Sequence, residues 1–266
     1  MLYGKMVSKG ARGSLVVLSG LLLLAGTAVG QQEPAGTEVM LGVGFARGVS
    51  YDLSASPLRY AGVSVPLDLG VRWRGTRRSM DVRIQAASTE VNARPMTNAA
   101  GNELPGWDQL NLGFTAAWRL ADAHWLGGRL RSDVRTRTYD YLDGVSWDLT
   151  ASLDAIYRYE RAIPYVWMQA EAGATLGGYV NRPPYFLASA ELFGVLYDGE
   201  GSFLGLGGFE SPRDVQQGTV SVRLRRSVTR RLAAEAVLDG QWTRLTRPEE
   251  TVFFHQGLSF RLLLAL

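Results

Sequence analysis

Five charged residues follow one another at every second position: Arg129, Arg131, Asp133, Arg135 and Arg137. A second run with the same spacing, Asp148, Thr150, Ser152, Asp154 and then Arg158, comes shortly after. In an extended chain a period of two puts all of these side chains on one face. Glu171, Glu191, Arg223, Arg225 and Glu235 fall on the corresponding face of other segments. Two kinds of chemistry follow from such stripes. If water reaches them, guanidinium and carboxylate groups line a path that selects small charged solutes. If it does not, the same groups must neutralise one another, because unpaired buried charge is costly.

Covalent chemistry finds little support. The chain has two histidines, His124 and His255, and no cysteine. Nucleophilic hydrolysis needs a base within hydrogen-bond reach of the nucleophile. His124 falls in an expected turn, and His255 shares the face of Gly257, Ser259 and Arg261, away from where a lipid substrate would lie. No Gly-x-Ser-x-Gly and no phosphate-cradling loop is present, and no helix follows Gly205 to Gly208 to receive a phosphate. Two distant histidines without cysteine provide no metal cluster. No catalytic residue, metal or cofactor is therefore assigned, and the chain is expected not to be an enzyme. Lipid hydrolysis, with His255 as candidate base, is the enzymatic alternative.

The amino end has the layout of a secretory signal: Lys5, Lys9 and Arg12, an apolar run from Leu15 to Leu24, then Ala28-Val29-Gly30 before Gln31-Gln32. The apolar run is short for a membrane helix. The organisation expected is a cleavable signal over 1–30, a short segment over 31–37 and one domain over 38–266. The whole chain has 28 basic and 25 acidic residues. The signal holds three of the basic residues and no acid, so 25 of each sign remain and the formal charge falls to zero. The pI of about 9.2 thus belongs to the signal, and a nucleic-acid partner is not expected. Both lysines also leave with it.

Past the signal no apolar run is long enough for a spanning helix, so a membrane form must span as strands. Leu110, Leu112, Phe114, Ala116, Trp118 and Leu120 alternate with Gln109, Asn111, Gly113, Thr115, Ala117 and Arg119. Val65 to Trp73 and Val39 to Phe45 repeat the pattern, which is that of a barrel wall and not of a helix. About twelve strands are expected, at roughly 38–47, 64–74, 80–91, 108–120, 125–139, 145–160, 164–177, 186–197, 202–209, 218–228, 231–244 and 251–266. Connections at 48–63, 92–107, 140–144, 178–185, 210–217 and 245–250 should lie on one side, with mostly shorter ones on the other.

The tight-turn dipeptide Asp143-Gly144 suggests a register, with Leu142 opposite Val145, Thr138 beside Leu149, Val134 beside Leu153 and Leu130 beside Tyr157. Both polar stripes then fall on the wet face. Trp73, Trp118, Trp125, Trp147, Trp167 and Trp242 fall near strand ends, where the aromatic belts of a membrane interface would place them.

Residues 251 to 266 end the chain with Leu258, Phe260, Leu262, Leu264 and Leu266 on one face. This segment resembles the closing strand of Gram-negative outer-membrane β-barrels, with Leu266 where Phe or Trp is usual. The resemblance is at superfamily level. It implies an all-β, closed antiparallel transmembrane barrel of about 12 strands, with 10 to 14 possible. It also implies an outer-membrane location, contact with outer-membrane lipid, and recognition of the last strand by the barrel-insertion machinery. Two functions stay open for such a barrel: a passive, porin-like pore for small solutes, or a structural barrel with its lumen closed. Binding through the outer loops is a further alternative.

Overall fold

In the computed structural model the described residues are 35–52, 56–94, 106–139, 144–181, 208–246 and 250–266. The signal segment, Glu191, and the strand expected at 186–197 with most of that at 202–209 lie outside them. On the segment Leu67 to Arg74, the side chains of Leu67, Leu69, Val71 and Trp73 are exposed, while Asp68, Gly70, Arg72 and Arg74 are buried. The same inversion, apolar outside and charged inside, runs along the other strands and is the reverse of a water-soluble core.

The strands are β1 (Gly36–Asp52), β2 (Ser56–Ser64), β3 (Leu67–Arg74), β4 (Arg78–Arg94), β5 (Gly106–Ala121) and β6 (His124–Tyr139). They continue as β7 (Gly144–Ile163), β8 (Val166–Asn181), β9 (Gly208–Glu210), β10 (Val215–Ser227), β11 (Leu232–Leu245) and β12 (Thr251–Ala265). All pair antiparallel in one 12-stranded sheet. The ring closes twice over: β1 pairs with β12 from Glu38–Ala265 to Asp52–Thr251, and β8 pairs directly with β10. The Leu266 N–H extends the seam by donating to the Thr37 carbonyl at 3.0 Å. Closure satisfies the edge groups that an open sheet would leave unpaired.

Two pairs of segments act as single staves. β2 and β3 both pair with β1 and β4, and the register passes unbroken from Ser64 to Leu67. The interruption falls at Pro66, which has no N–H to give, while its carbonyl still accepts from Gly44 N–H at 3.0 Å. β9 and β10 lie along the same edge of β8, separated by a turn in which the N–H groups of Asp214 and Val215 donate to the Ser211 carbonyl. Among the described residues, twelve segments therefore make a wall ten staves around.

Two expectations change. The connection placed at 48–63 is largely strand, since β1 runs to Asp52 and β2 starts at Ser56. Backbone pairing continues there after the outward face ceases to be consistently apolar. The β6–β7 register also differs by four residues: Val134 pairs with Leu149, Leu130 with Leu153 and Leu126 with Tyr157. The expected register set Arg129 against Arg158 and Asp133 against Asp154. The observed one sets Arg129 against Asp154 and Arg135 against Asp148, converting like-charge pairs into opposite ones. Because the shift is even, both stripes keep their inward face. Asp143 lies outside the described residues.

Candidate functional site in the lumen

One end of the barrel carries the short turns, and we call it the floor; the opposite end is the rim. Near the floor the lumen is filled by apolar side chains, with Met40, Ala233 and Leu263 in one cluster and Ala117, Trp125 and Ile156 in another. The Arg74 guanidinium sits beside the second of them. It donates to Glu160, with Nη1 3.1 Å from Oε1, and lies 5.1 Å from the Trp125 ring and 5.7 Å from the Trp167 ring. Arg119 stacks on Trp125 at 4.8 Å. These are favourable cation–π distances. Arg225 forms a two-point pair with Glu38, one contact being 2.7 Å.

Above the floor a continuous chain of alternating charge crosses the lumen. Arg83 donates to Asp68 at 2.9 Å through both Nε and Nη2, and Arg261 reaches the same carboxylate at 3.1 Å. Arg261 also donates to Glu235 at 3.0 Å, and Glu235 accepts from Arg72 at 3.1 Å. Arg72 continues to Asp81 at 3.2 Å, and Asp81 lies 3.8 Å from Arg223. A second group gathers on Glu171, which takes Arg158 at 2.9 Å and Arg129. Arg158 also donates to Ser79 at 2.9 Å.

The pattern of these partners matters more than their number. In ring order β10 stands opposite β4, so the Arg223–Asp81 pair spans the lumen. Arg74–Glu160 joins β3 to β7, Arg225–Glu38 joins β10 to β1, and Arg72–Glu235 joins β3 to β11. None of these strands are neighbours in the wall. The guanidinium groups that bridge them are buried: Arg72, Arg74 and Arg225 are each 5% exposed or less, and Arg223 is 8% exposed.

Of the charges expected to line the lumen, Arg129, Arg131, Asp133, Arg135, Asp148, Asp154, Glu171, Arg223 and Arg225 point inward. Arg131 lies 3.4 Å from Asp154 and 3.6 Å from Asp133. The side chain of Arg137 lies outside the described residues. Arg72, Arg74, Asp81 and Glu160, absent from the expected set, are central to the network; their signal was the same parity on β3, β4 and β7.

Among the tryptophans, Trp73, Trp118 and Trp242 are exposed on the outer surface, and the side chain of Trp147 lies outside the described residues. Trp125 and Trp167 correct the expectation of an interface belt. Trp125 is fully buried in the lumen, and Trp167 faces inward beside Arg74. The level was right and the face wrong: 125 shares the parity of Arg129 and Arg131, and 167 that of Gln169 and Glu171.

Among the described residues the space above the floor includes two cavities. The deeper has about 690 Å³ of empty space, open solvent included, and is bordered by Arg83, Asn111, Arg131, Ser221, Asp239 and Gln241 among others. The other, about 520 Å³ on the same measure, lies toward the rim and shares Gln241. His255 points inward where they meet. A Cβ on Gly257 would stand 3.2 Å from Asp239 Oδ1 and 3.4 Å from His255 Nε2, so both groups converge over that glycine. His124 is exposed at the floor, its Nδ1 2.5 Å from the Tyr157 hydroxyl. Among the described residues no three metal-ligating side chains converge.

No protein-family model matches the chain, and no curated protein matches it. Among solved structures it is similar to the translocator domain of the autotransporter NalP from Neisseria meningitidis, at 9% identity and a TM-score of 0.46 over 97% of this chain and 98% of that one. It is also similar to the outer-membrane protease OmpT from Escherichia coli, at 8% identity and a TM-score of 0.46 over 90% and 99% of the two chains. A third similar structure is the beta domain of the Bordetella autotransporter BrkA, at 10% identity and a TM-score of 0.38 over 84% and 98%.

Proposed function

We propose that this chain is an outer-membrane barrel whose lumen is shut by its own ion pairs, a structural barrel and not an open pore. The observation that carries this reading is the set of pairs between strands that are not neighbours, above all Arg223–Asp81 and Arg74–Glu160. A conducting wall keeps its charges hydrated and leaves a path between them. Here the charges meet across the path, and the floor beneath them is packed with Trp125, Met40 and Leu263.

The membrane setting rests on the apolar outer face, the closed hydrogen-bonded wall and the signal-like amino end. In that setting the short turns face the periplasm, outer-membrane lipid covers the belt of exposed Leu, Val and Phe, and β12 with Leu266 is the segment offered to the insertion machinery. The reading includes no catalytic step, so His255→Ala should leave lipid turnover unchanged. Purified barrel in planar bilayers should show no sustained openings under voltage. Steady conductance that scales with salt would replace the closed barrel with the pore.

A further inference from the structure

The rim-side cavity differs from the rest of the lumen in its charge. Its inward lining includes Ser64, Trp107, Gln109, Arg135, Phe253 and His255; Asp108 borders it from an outward-facing position. No inward-pointing member is a carboxylate. Below the cavity most guanidinium groups meet an acid at hydrogen-bond distance, Arg223 at 3.8 Å from Asp81 being an exception; Arg135, among the described residues, meets only Asp133, at 3.9 Å. That acid is shared with Arg131 at 3.6 Å and with the Asn111 amide at 2.5 Å. Asp148 stands across the ladder from Arg135.

Arg135 is 5% exposed, and its Nη1 has no hydrogen-bond partner among the described residues; the buried Trp107 Nε1 has none there either. Both atoms are donors. A buried donor without an acceptor is costly, and native structures seldom keep one unless something satisfies it. Flat surfaces frame the pair. Arg135 lies over the Phe253 ring with Cζ 4.3 Å from the centroid, and the Trp107 indole fills the space left by the missing side chain of Gly48, where a Cβ would come within 3.2 Å of the ring.

We propose that this cavity binds a small planar carboxylate, with the carboxylate accepting from Arg135 and Trp107 and the flat body lying against Phe253. A guanidinium held flat presents a fork that matches a carboxylate's two oxygens. This site lies above the sealed floor, and its occupancy does not depend on whether the floor conducts.

Calorimetric titration of the full barrel in detergent tests the proposal, with benzoate as probe and benzamide as its uncharged counterpart. Benzoate should bind saturably, and benzamide about tenfold more weakly or worse. Arg135→Gln should reduce benzoate to the benzamide level, and Trp107→Phe, which keeps a ring and removes the N–H, should weaken it several-fold. Heat-modifiable migration on gels checks that each variant is a folded barrel. Equal affinity for the two probes, no saturable benzoate binding by the parent protein, or a folded Arg135→Gln barrel that binds benzoate unchanged would each overturn it.

Discussion

Glu160 shows how charge is accommodated in this lumen. It is buried at the floor, and the guanidinium it holds is itself sandwiched against two tryptophan rings. Neutralising the carboxylate alone takes from a buried cation the acid it is paired with, a change that costs about 3–5 kcal/mol when a buried pair is broken. Removing both charges together leaves only packing to restore. Glu160→Gln should therefore lower the urea midpoint of the refolded barrel by an amount equivalent to roughly 3 kcal/mol, while the Arg74→Leu, Glu160→Leu double variant should lie within about 1 kcal/mol of the parent. Equal losses in the two would mean that the pair contributes by its shape and not by its charge. Glu235, which accepts from Arg72 and Arg261 together, should behave like Glu160 when changed to Gln.

At the scale of strands, alternation in the sequence was enough to locate most of the wall, because the side chains on its outer face are apolar and their neighbours need not be. It said less where that pressure stops. β1 and β2 continue beyond the consistently apolar stretch with Gly48, Tyr51, Arg59 and Ala61, and their backbones stay paired there. Facing was legible for the stripe of Arg129, Arg131, Asp133 and Arg135, since parity is local. Partners were not, because Arg223–Asp81 and Arg72–Glu235 depend on the curvature of the closed ring. The β6–β7 register shows the same division: Asp143-Gly144 pointed to the correct face and the wrong row. Since the chain has no native cysteine, crosslinking can test the row directly. Leu130→Cys with Leu153→Cys, paired across the ladder, should form a disulfide under mild oxidation. Leu130→Cys with Tyr157→Cys, four residues away, should remain reduced; the opposite outcome would restore the hairpin register read from the turn.

For the molecule as a whole, closure by cross-pairs separates two properties that a hollow barrel combines, a sealed wall and an open interior. Opening the floor should need more than one change, because the apolar clusters of Met40 and Trp125 lie beside the ion pairs. Arg74→Ser, Glu160→Ser and Trp125→Ala combined should produce ion conductance in planar bilayers, where the parent is expected to stay silent. Continued silence in that triple variant would place the seal elsewhere along the lumen. The cross-pairs also have a mechanical meaning. A tube held only by its wall flattens under sideways load and peels away hairpin by hairpin when pulled from one end. With Arg223–Asp81 and Arg74–Glu160 set across it like the spokes of a wheel, the cross-section resists flattening, and force applied at one stave is carried to distant ones. Drawn from its carboxyl end by a cantilever, this barrel should give way in one large rupture, and the spoke-less variants in a series of small steps.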